Sequence, residues 1–230
     1  MAIAHSVTVT ASGDTSATTI ALPAINTSVG DLLIVGFKYE EFSTTTSAAD
    51  TAGNTYTGLA QVDNSGSSGE PHVRIFYTFA TAGNASNVIT ITFTAARPWR
   101  RAIASKFTIG AGSVDGAGAG GQATTGTAVA TGTFSTALAN AVAWAIVGGY
   151  TSETFSSPLI GGGASTQTTT VSDTVAHYRI FSSTQSGITA NITMSASNRW
   201  STSVGAFGET GAAGTGFPFH PNPMAHMLIR

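Results

Sequence analysis

The chain has 230 residues, of which 42% are hydrophobic and only 9% are charged, and its formal net charge is −2. It contains no cysteine, which excludes disulfides, zinc–thiolate sites and thiol nucleophiles. No basic run or stripe is present, so electrostatic binding to nucleic acid is not expected. A chain of this length can bury a sizeable core, and its surface must be built mainly from Thr, Ser, Asn and Gly.

Short strands separated by polar turns are predicted along residues 1–109. Residues 7–10 (Val-Thr-Val-Thr) and 89–94 (Ile-Thr-Ile-Thr-Phe-Thr) alternate apolar and polar side chains, as strands with one buried face do. Residues 32–35 (Leu-Leu-Ile-Val) form a continuous apolar run, so we expect this strand to be covered on both faces. Residues 1–109 are therefore predicted to form a first β-sandwich repeat.

A stretch rich in glycine and alanine separates this part from a second one of similar plan. Residues 110–126 are predicted to be a flexible connector, and residues 127–210 a second β-sandwich repeat. Residues 142–147 (Val-Ala-Trp-Ala-Ile-Val) form another continuous apolar run, and residues 191–195 alternate. No segment has an apolar stripe that is long enough to predict a helix.

Motifs of the first repeat recur in the second in the same order. Residues 72–76 (His-Val-Arg-Ile-Phe) return as residues 177–181 (His-Tyr-Arg-Ile-Phe), and Phe107 is matched by Phe207. The predicted fold class is all-β: a jelly-roll-like antiparallel β-sandwich built from two pseudo-repeats, with an extended C-terminal arm. One sandwich with interleaved strands is preferred over two tandem sandwiches, because small sheets gain by sharing a core.

The repeated His-x-Arg-Ile-Phe motif has two interpretations. On a strand, His72, Arg74 and Phe76 share one face, and the second copy, residues 177–181, behaves in the same way. The face could bind a ligand or a sugar with the help of a nearby tryptophan. Alternatively, a cross-strand cation–π pair could brace the sheet. The structural interpretation is preferred, because a binding site usually needs only one copy.

No arrangement of residues indicates an enzyme, a cofactor or a metal site. The histidines lack metal-ligand spacing, and neither a nucleophile elbow nor a phosphate loop is present. Residues 50–56 (Asp-Thr-Ala-Gly-Asn-Thr-Tyr) could offer oxygen ligands to calcium, but the same residues are ordinary turn formers, and the turn is preferred. We expect a non-enzymatic protein. A hydrolase that uses Asp50 and Glu153 as a distant carboxyl pair is a less favoured alternative.

Residues 211–230 are predicted to be a Pro-rich docking arm. Three of the seven prolines lie between residues 218 and 223, which is incompatible with a central strand. The segment is also too apolar for a freely solvated tail. The residues expected to dock on a neighbouring subunit are Phe217, Phe219, Met224, Met227, Leu228 and Ile229.

The first five residues lack the basic and apolar regions of a secretory signal, and no segment has the length of a membrane span. A durable β protein without such a signal is expected in a virion, which is assembled in the host cytoplasm and released by lysis. A leaderless secretion route is the alternative. Neither nucleic acid nor a membrane is expected as a partner.

The order of these motifs resembles that of β-sandwich structural proteins of bacteriophage and prophage virions, and of bacterial surface modules. The resemblance covers residues 6–209 and rests on the apolar strand after Gly30-Asp31, the turn at residues 50–56, residues 74–77 and the alternation at residues 89–93. It implies a structural role as a capsid decoration, head-fibre, collar or tail component. Such a protein acts by assembly with other virion subunits, and a homo-oligomer is expected.

A carbohydrate-binding or adhesin module of a phage or bacterial surface is the alternative function. Exposed aromatic rings stack on sugar rings, and the candidate glycan contacts are Tyr56, Trp99 and Trp200, with Tyr150 as a further candidate.

Overall fold

The computed structural model describes residues 2–40, 44, 46–63, 70–123, 125–151 and 153–210 of the chain. Every regular element in these residues is a β-strand. The first half contains β1 (Ala4–Gly13), β2 (Ala17–Ala21), β3 (Ile25–Thr27), β4 (Leu32–Tyr39), β5 (Thr46–Asp50), β6 (Thr57–Gly58), β7 (Val62–Asp63), β8 (His72–Phe79), β9 (Asn84–Asn87), β10 (Ile89–Arg97) and β11 (Arg100–Thr108). The second half contains β12 (Gly112–Ala123), β13 (Ala128–Ala130), β14 (Phe134–Thr136), β15 (Ala141–Gly149), β16 (Phe155–Ile160), β17 (Gly163–Ala164), β18 (Thr166–Val171), β19 (Thr174–Phe181), β20 (Gln185–Ile188), β21 (Ala190–Met194) and β22 (Trp200–Glu209). Within this described part there is no helix with the length and apolarity needed to cross a membrane.

Each half folds into its own antiparallel sheets. In the first half, the order β1-β11-β4-β8-β6 forms a large sheet with β7 also on β8, while β2-β10-β5 forms a small sheet and β3-β9 a ribbon. The second half has the orders β12-β22-β15-β19-β18, β13-β21-β16-β17 and β14-β20. No sheet of the described residues combines strands of both halves, so the preferred single sandwich with interleaved strands is wrong. The first strand of each half pairs with the last one, which completes its large sheet without outside strands.

The flexible connector predicted for residues 110–126 is wrong over most of its length, because residues 112–123 form β12 and pair with β22. Its glycines allow close packing. A Cβ atom on Gly116 would lie 2.5 Å from the Ser135 carbonyl oxygen, and one on Gly121 would overlap with the Ala130 carbonyl oxygen. The glycine content therefore reflects the close approach of another backbone.

The centre of the molecule is formed by two strands that are buried on both faces. Every residue of β4 and of β15 is buried, which confirms the double coverage predicted for residues 32–35 and 142–147. Alternate side chains of these strands point toward the other half or toward the small sheet of their own half. The described chain therefore has four layers, with the two large sheets face to face in the middle.

The two large sheets pack closely against each other at Gly36 and Trp144. The Trp144 side chain is fully buried, and its Nε1 donates a hydrogen bond to Ser105 Oγ of the first half over 3.0 Å. A Cβ atom on Gly36 would lie 2.7 Å from ring carbons of Trp144 and from Cδ1 of Ile146. The absence of a side chain at position 36 is thus what allows the indole to lie between the sheets.

The repeated motifs do not occupy the same register in the two halves. In the first half, Phe76 lies opposite Val35 and Phe107 opposite Leu32 on the neighbouring strand β4. In the second half, Phe181 lies opposite Ala141 and Phe207 opposite Val142 on β15. When the two halves are aligned on Phe107 and Phe207, the His-x-Arg-Ile-Phe segments of β8 and β19 differ in register by four residues. Because the displacement is an even number, its His, Arg and Phe side chains stay on the face toward the small sheet.

Candidate functional site

A cleft of about 290 Å³ opens where the two halves meet, next to the end of β4. It is lined by residues of both halves: Glu40, Trp99, Arg101, Tyr150, Thr151, Ser172 and Asp173. The cleft therefore exists only because the two large sheets pack against each other.

The aromatic walls of the cleft come from one residue of each half. Trp99 lies in the turn between β10 and β11, and Tyr150 directly follows β15; their exposed fractions are 45% and 38%. The guanidinium of Arg101 lies 6.0 Å from the centre of the Trp99 ring, and that of Arg199 lies 5.5 Å from the centre of the Tyr150 ring. Cation–π contacts of this kind orient rings that are not held by the core.

Two turns at the cleft contain residues in the left-handed backbone region. The φ angle is +49° at Trp99 and +54° at Ser172, and Ser157, away from the cleft, is the third non-glycine residue with positive φ in the described chain. Such a conformation costs of order 1–3 kcal/mol and persists only where the surroundings enforce it. Because strain of this kind is common at ligand-binding sites, its presence in both turns supports a functional role for the cleft.

The floor of the cleft is a cluster of buried charges. Lys38 Nζ donates hydrogen bonds to Glu40 Oε1 and, over 2.8 Å, to Asp173 Oδ2. Arg101 places Nε 3.5 Å from Asp173 Oδ1 and Nη1 2.8 Å from the exposed carboxylate of Asp14. Burial raises the pKa of Glu40 above its ordinary value, and the positive charge of Lys38 opposes this effect.

This arrangement can bind a ligand that has one apolar face and several polar groups. The rings of Trp99 and Tyr150 can pack against C–H groups. The Arg101 guanidinium can donate hydrogen bonds, and the carboxylates of Glu40 and Asp173 can accept them. A few polar groups that converge beside aromatic surface are typical of small-molecule sites.

The structure brings only some of the candidate glycan contacts together. Trp99 and Tyr150 share the cleft, but Trp200 is only 6% exposed and packs in the second half, so the expectation of an exposed ring at this position is wrong. Tyr56 packs against the core of the first half, and its hydroxyl donates to Asp50 Oδ2 over 3.0 Å. Its ring therefore belongs to a structural network and not to the cleft.

Three charged residues of the cleft floor were not predicted from the sequence, namely Lys38, Arg101 and Asp173. One signal was available, since Lys38 interrupts an otherwise apolar strand, and a lysine is rarely fully buried unless it is paired. The partner could not be identified in the same way, because Asp173 is 135 residues away in the sequence.

The repeated motif forms structural contacts in both halves. The Arg74 guanidinium lies 4.7 Å from the Phe76 ring centre and donates from Nε to the Leu59 carbonyl over 2.9 Å. The Arg179 guanidinium lies 5.0 Å from the Phe181 ring centre. Each pair lies along one strand, so the expected cross-strand arrangement is wrong although the cation–π contact is present.

The turn at residues 50–56 is built around one carboxylate. Asp50 accepts hydrogen bonds from the backbone N–H and Nδ2 of Asn54, from Nδ2 of Asn87 and from the hydroxyl of Tyr56. Burial alone would raise the pKa of Asp50, but these hydrogen bonds together lower it below its ordinary value. All of these contacts fit the interpretation of the segment as a turn.

Glu153 has a similar structural role in the second half. Its carboxylate accepts hydrogen bonds from Ser195, Asn198 and Thr151, which lower its pKa although burial acts in the opposite direction. Its hydrogen-bond partners are all different from those of Asp50, and they lie in the other half. The contacts of the described residues therefore do not join these two carboxyls in one site, as the hydrolase alternative requires.

The residues of the predicted docking arm lie in residues 211–230, outside the described part of the chain. Within the described part, no three His, Asp or Glu side chains are grouped as they would be around a metal ion. No protein-family model, no curated protein and no solved structure matches the chain. The geometry of the described residues is therefore the basis on which a function can be argued.

Proposed function

We propose that the chain is a non-enzymatic structural protein of a virion that acts by assembling with other subunits. The observation that carries this proposal is the face-to-face packing of two large sheets, which joins both halves through one shared core in a chain with few charges. Low charge reduces repulsion between copies and favours close assembly. A capsid decoration, head-fibre, collar or tail component requires a body of this kind, made in the host cytoplasm.

We also propose that the two halves are pseudo-repeats and that each is a jelly roll. The four strands β1-β11-β4-β8 and their counterparts β12-β22-β15-β19 have the order of one jelly-roll sheet. The strands β2-β10-β5 and β13-β21-β16-β17 have the order of the opposite sheet. The matching strand order supports a duplication. The difference in register between β8 and β19 would then have arisen after the duplication.

The assembly proposal predicts that removal of residues 211–230 abolishes self-association. The deleted segment carries Phe217, Phe219 and the other apolar residues expected to dock on a neighbouring subunit, and each could contribute roughly 1.5–3 kcal/mol before ordering costs. Light scattering after size-exclusion chromatography is expected to give a homo-oligomer for the full chain and a monomer for residues 1–210. Far-UV circular dichroism of both proteins verifies that the shorter one is folded. Equal subunit numbers for the two would refute the role of the arm.

A second candidate function is carbohydrate binding, and the specific observation that favours it is the joint presence of Trp99 and Tyr150 in the cleft. An aromatic surface beside carboxylate and guanidinium groups suits the C–H face and the hydroxyl groups of a sugar ring. A virion protein with such a site would attach the particle to a host-surface glycan.

The carbohydrate proposal predicts that Trp99→Ala weakens glycan binding about tenfold, since an aromatic contact contributes about 0.5–1.5 kcal/mol beyond its buried area. A glycan array identifies the ligand, and titration calorimetry then compares the variants. Tyr150→Ala is expected to have a similar effect. Tyr56→Phe, which alters an aromatic residue outside the cleft, serves as the matched control. Equal affinity of Trp99→Ala and the unaltered protein for the array ligand would exclude the cleft as the binding site.

A further inference from the structure

Lys38 is enclosed between two carboxyl groups at the interface of the halves. Its side chain is 0% exposed, and those of Glu40 and Asp173 are only 7% and 5% exposed. The aliphatic stem of Lys38 lies against Gly148 of the second half, where a Cβ atom would be 2.5 Å from Lys38 Cγ. The amine is therefore held in a fixed position, out of contact with bulk water, beside two potential acyl groups.

The two oxygens of Asp173 have different surroundings. Oδ2 accepts a hydrogen bond from Lys38 Nζ over 2.8 Å. Oδ1 accepts one from the Thr174 hydroxyl over 3.0 Å, and Arg101 Nε lies 3.5 Å from it. Hydrogen-bond donors and positive charge at one carboxyl oxygen stabilise the negative charge that develops there when a nucleophile attacks the carbon. The amine thus contacts the oxygen that would leave, while the other oxygen is placed in an oxyanion-stabilising environment.

We propose that Lys38 and Asp173 condense to form an intramolecular amide bond that links the two halves covalently. Lys38 Nζ, after it has lost a proton, attacks Asp173 Cγ and forms the N–C bond. The Cγ–Oδ2 bond breaks, and this oxygen leaves as water with the two protons that the ammonium group gives up. The reaction is a condensation, so it needs neither an oxidant nor a reductant.

Glu40 is placed to carry the protons. Its carboxylate accepts a hydrogen bond from the same Nζ atom that would attack Asp173. Burial raises the pKa of Glu40, although the charge of Lys38 opposes this, so its carboxyl can hold a proton more readily than an exposed glutamate. It can take a proton from the ammonium group and deliver it to the departing oxygen.

The second lysine of the chain provides an internal comparison. Lys106 Nζ lies 3.4 Å from Asp31 Oδ2 and donates to the Asn26 carbonyl over 2.8 Å, but its side chain is 14% exposed. Its described contacts include one carboxyl group and no second one that could carry protons. This ion pair is less completely buried than that of Lys38 and lacks the second carboxyl group, so we expect it to stay ionic.

Intact-mass spectrometry of the full, denatured chain tests the proposal directly. The mass is expected to be lower than the sequence mass by one water molecule, and protease digestion is expected to release a branched peptide that joins the Lys38 and Asp173 segments. A freshly purified, folded chain with the full sequence mass, unchanged after prolonged incubation, would overturn the proposal. This measurement needs no variant, so it decides the question even if the variants fail to fold.

Three variants then assign the roles. Lys38→Met is expected to have no mass deficit, and Glu40→Gln is expected to form the bond at least tenfold more slowly in a time course after purification. Lys106→Arg is the matched control and should retain the deficit of one water. Loss of the mass deficit in Lys106→Arg would show that the bond involves Lys106, which would overturn its assignment to Lys38. Bond formation in Glu40→Gln at the rate of the unaltered protein would refute the proton-carrying role of Glu40.

Discussion

Replacement of Trp144 by alanine is expected to lower the free energy of unfolding by about 3–5 kcal/mol. The indole is fully buried between the two large sheets, and its Nε1 donates a hydrogen bond to Ser105 of the other half. The substitution creates a large cavity at the interface and leaves the Ser105 hydroxyl with one partner fewer. Urea denaturation followed by far-UV circular dichroism measures the loss without relying on tryptophan fluorescence.

Trp99→Ala is the matched control for this experiment. Trp99 is 45% exposed at the cleft and does not belong to the core between the sheets, so the variant should differ from the parent protein by less than about 0.5 kcal/mol. The backbone φ angle of +49° at position 99 is unfavourable for tryptophan and alanine alike, so it does not distinguish the variant from the parent protein. A loss below about 1 kcal/mol for Trp144→Ala would show that the halves do not depend on their shared interface for stability.

Gly36→Ala is expected to destabilise the protein by about 1–3 kcal/mol, although it adds a single methyl group. The new Cβ atom would lie 2.7 Å from ring carbons of Trp144 and from Ile146, and β4 is enclosed on both faces. Neither sheet can move away without disturbing the small sheet behind it. Thermal and urea denaturation both report the change, and the far-UV spectrum should remain that of a β protein.

Gly149→Ala separates this steric effect from the general cost of replacing a glycine in a buried strand. A Cβ atom on Gly149 would meet its nearest neighbours at 3.4 Å or more, which is ordinary van der Waals contact. We expect this variant to be close to neutral, because alanine limits the unfolded chain more than glycine does. Equal destabilisation by both substitutions would contradict the proposed contact between Gly36 and the indole.

The local sequence pattern was sufficient to predict the strands and the doubly buried centre. Residues 7–10 and 89–94 alternate as strands with one buried face do, and they lie in β1 and β10. The apolar runs at residues 32–35 and 142–147 lie in the two strands that are covered on both faces. These features could be predicted because side-chain alternation is a local property of a strand, and a continuous apolar run has no polar face to expose.

The features that failed depend on contacts between distant parts of the chain. A run of glycine and alanine can be a linker or a closely packed strand. That β12 is a closely packed strand follows from its contact with the Ser135 backbone, which the sequence alone does not reveal. The cleft was not predicted as a whole because Glu40 and Asp173 meet only after the two large sheets have packed together. Likewise, Trp200 became buried because the second half covers it with its own small sheet.

The pairing of the first and last strands in each half gives the described part of the protein two different ends. Ala4 pairs with Thr108, and Gly112 pairs with Glu209, so the described chain begins and ends beside the same short connection. Arg100, at the far end of β11, lies about 30 Å away by the rise of a strand, on the side of the cleft. A partner that binds the segment after Glu209 would therefore contact the end of the protein opposite the cleft. The aromatic cleft would then face away from that partner.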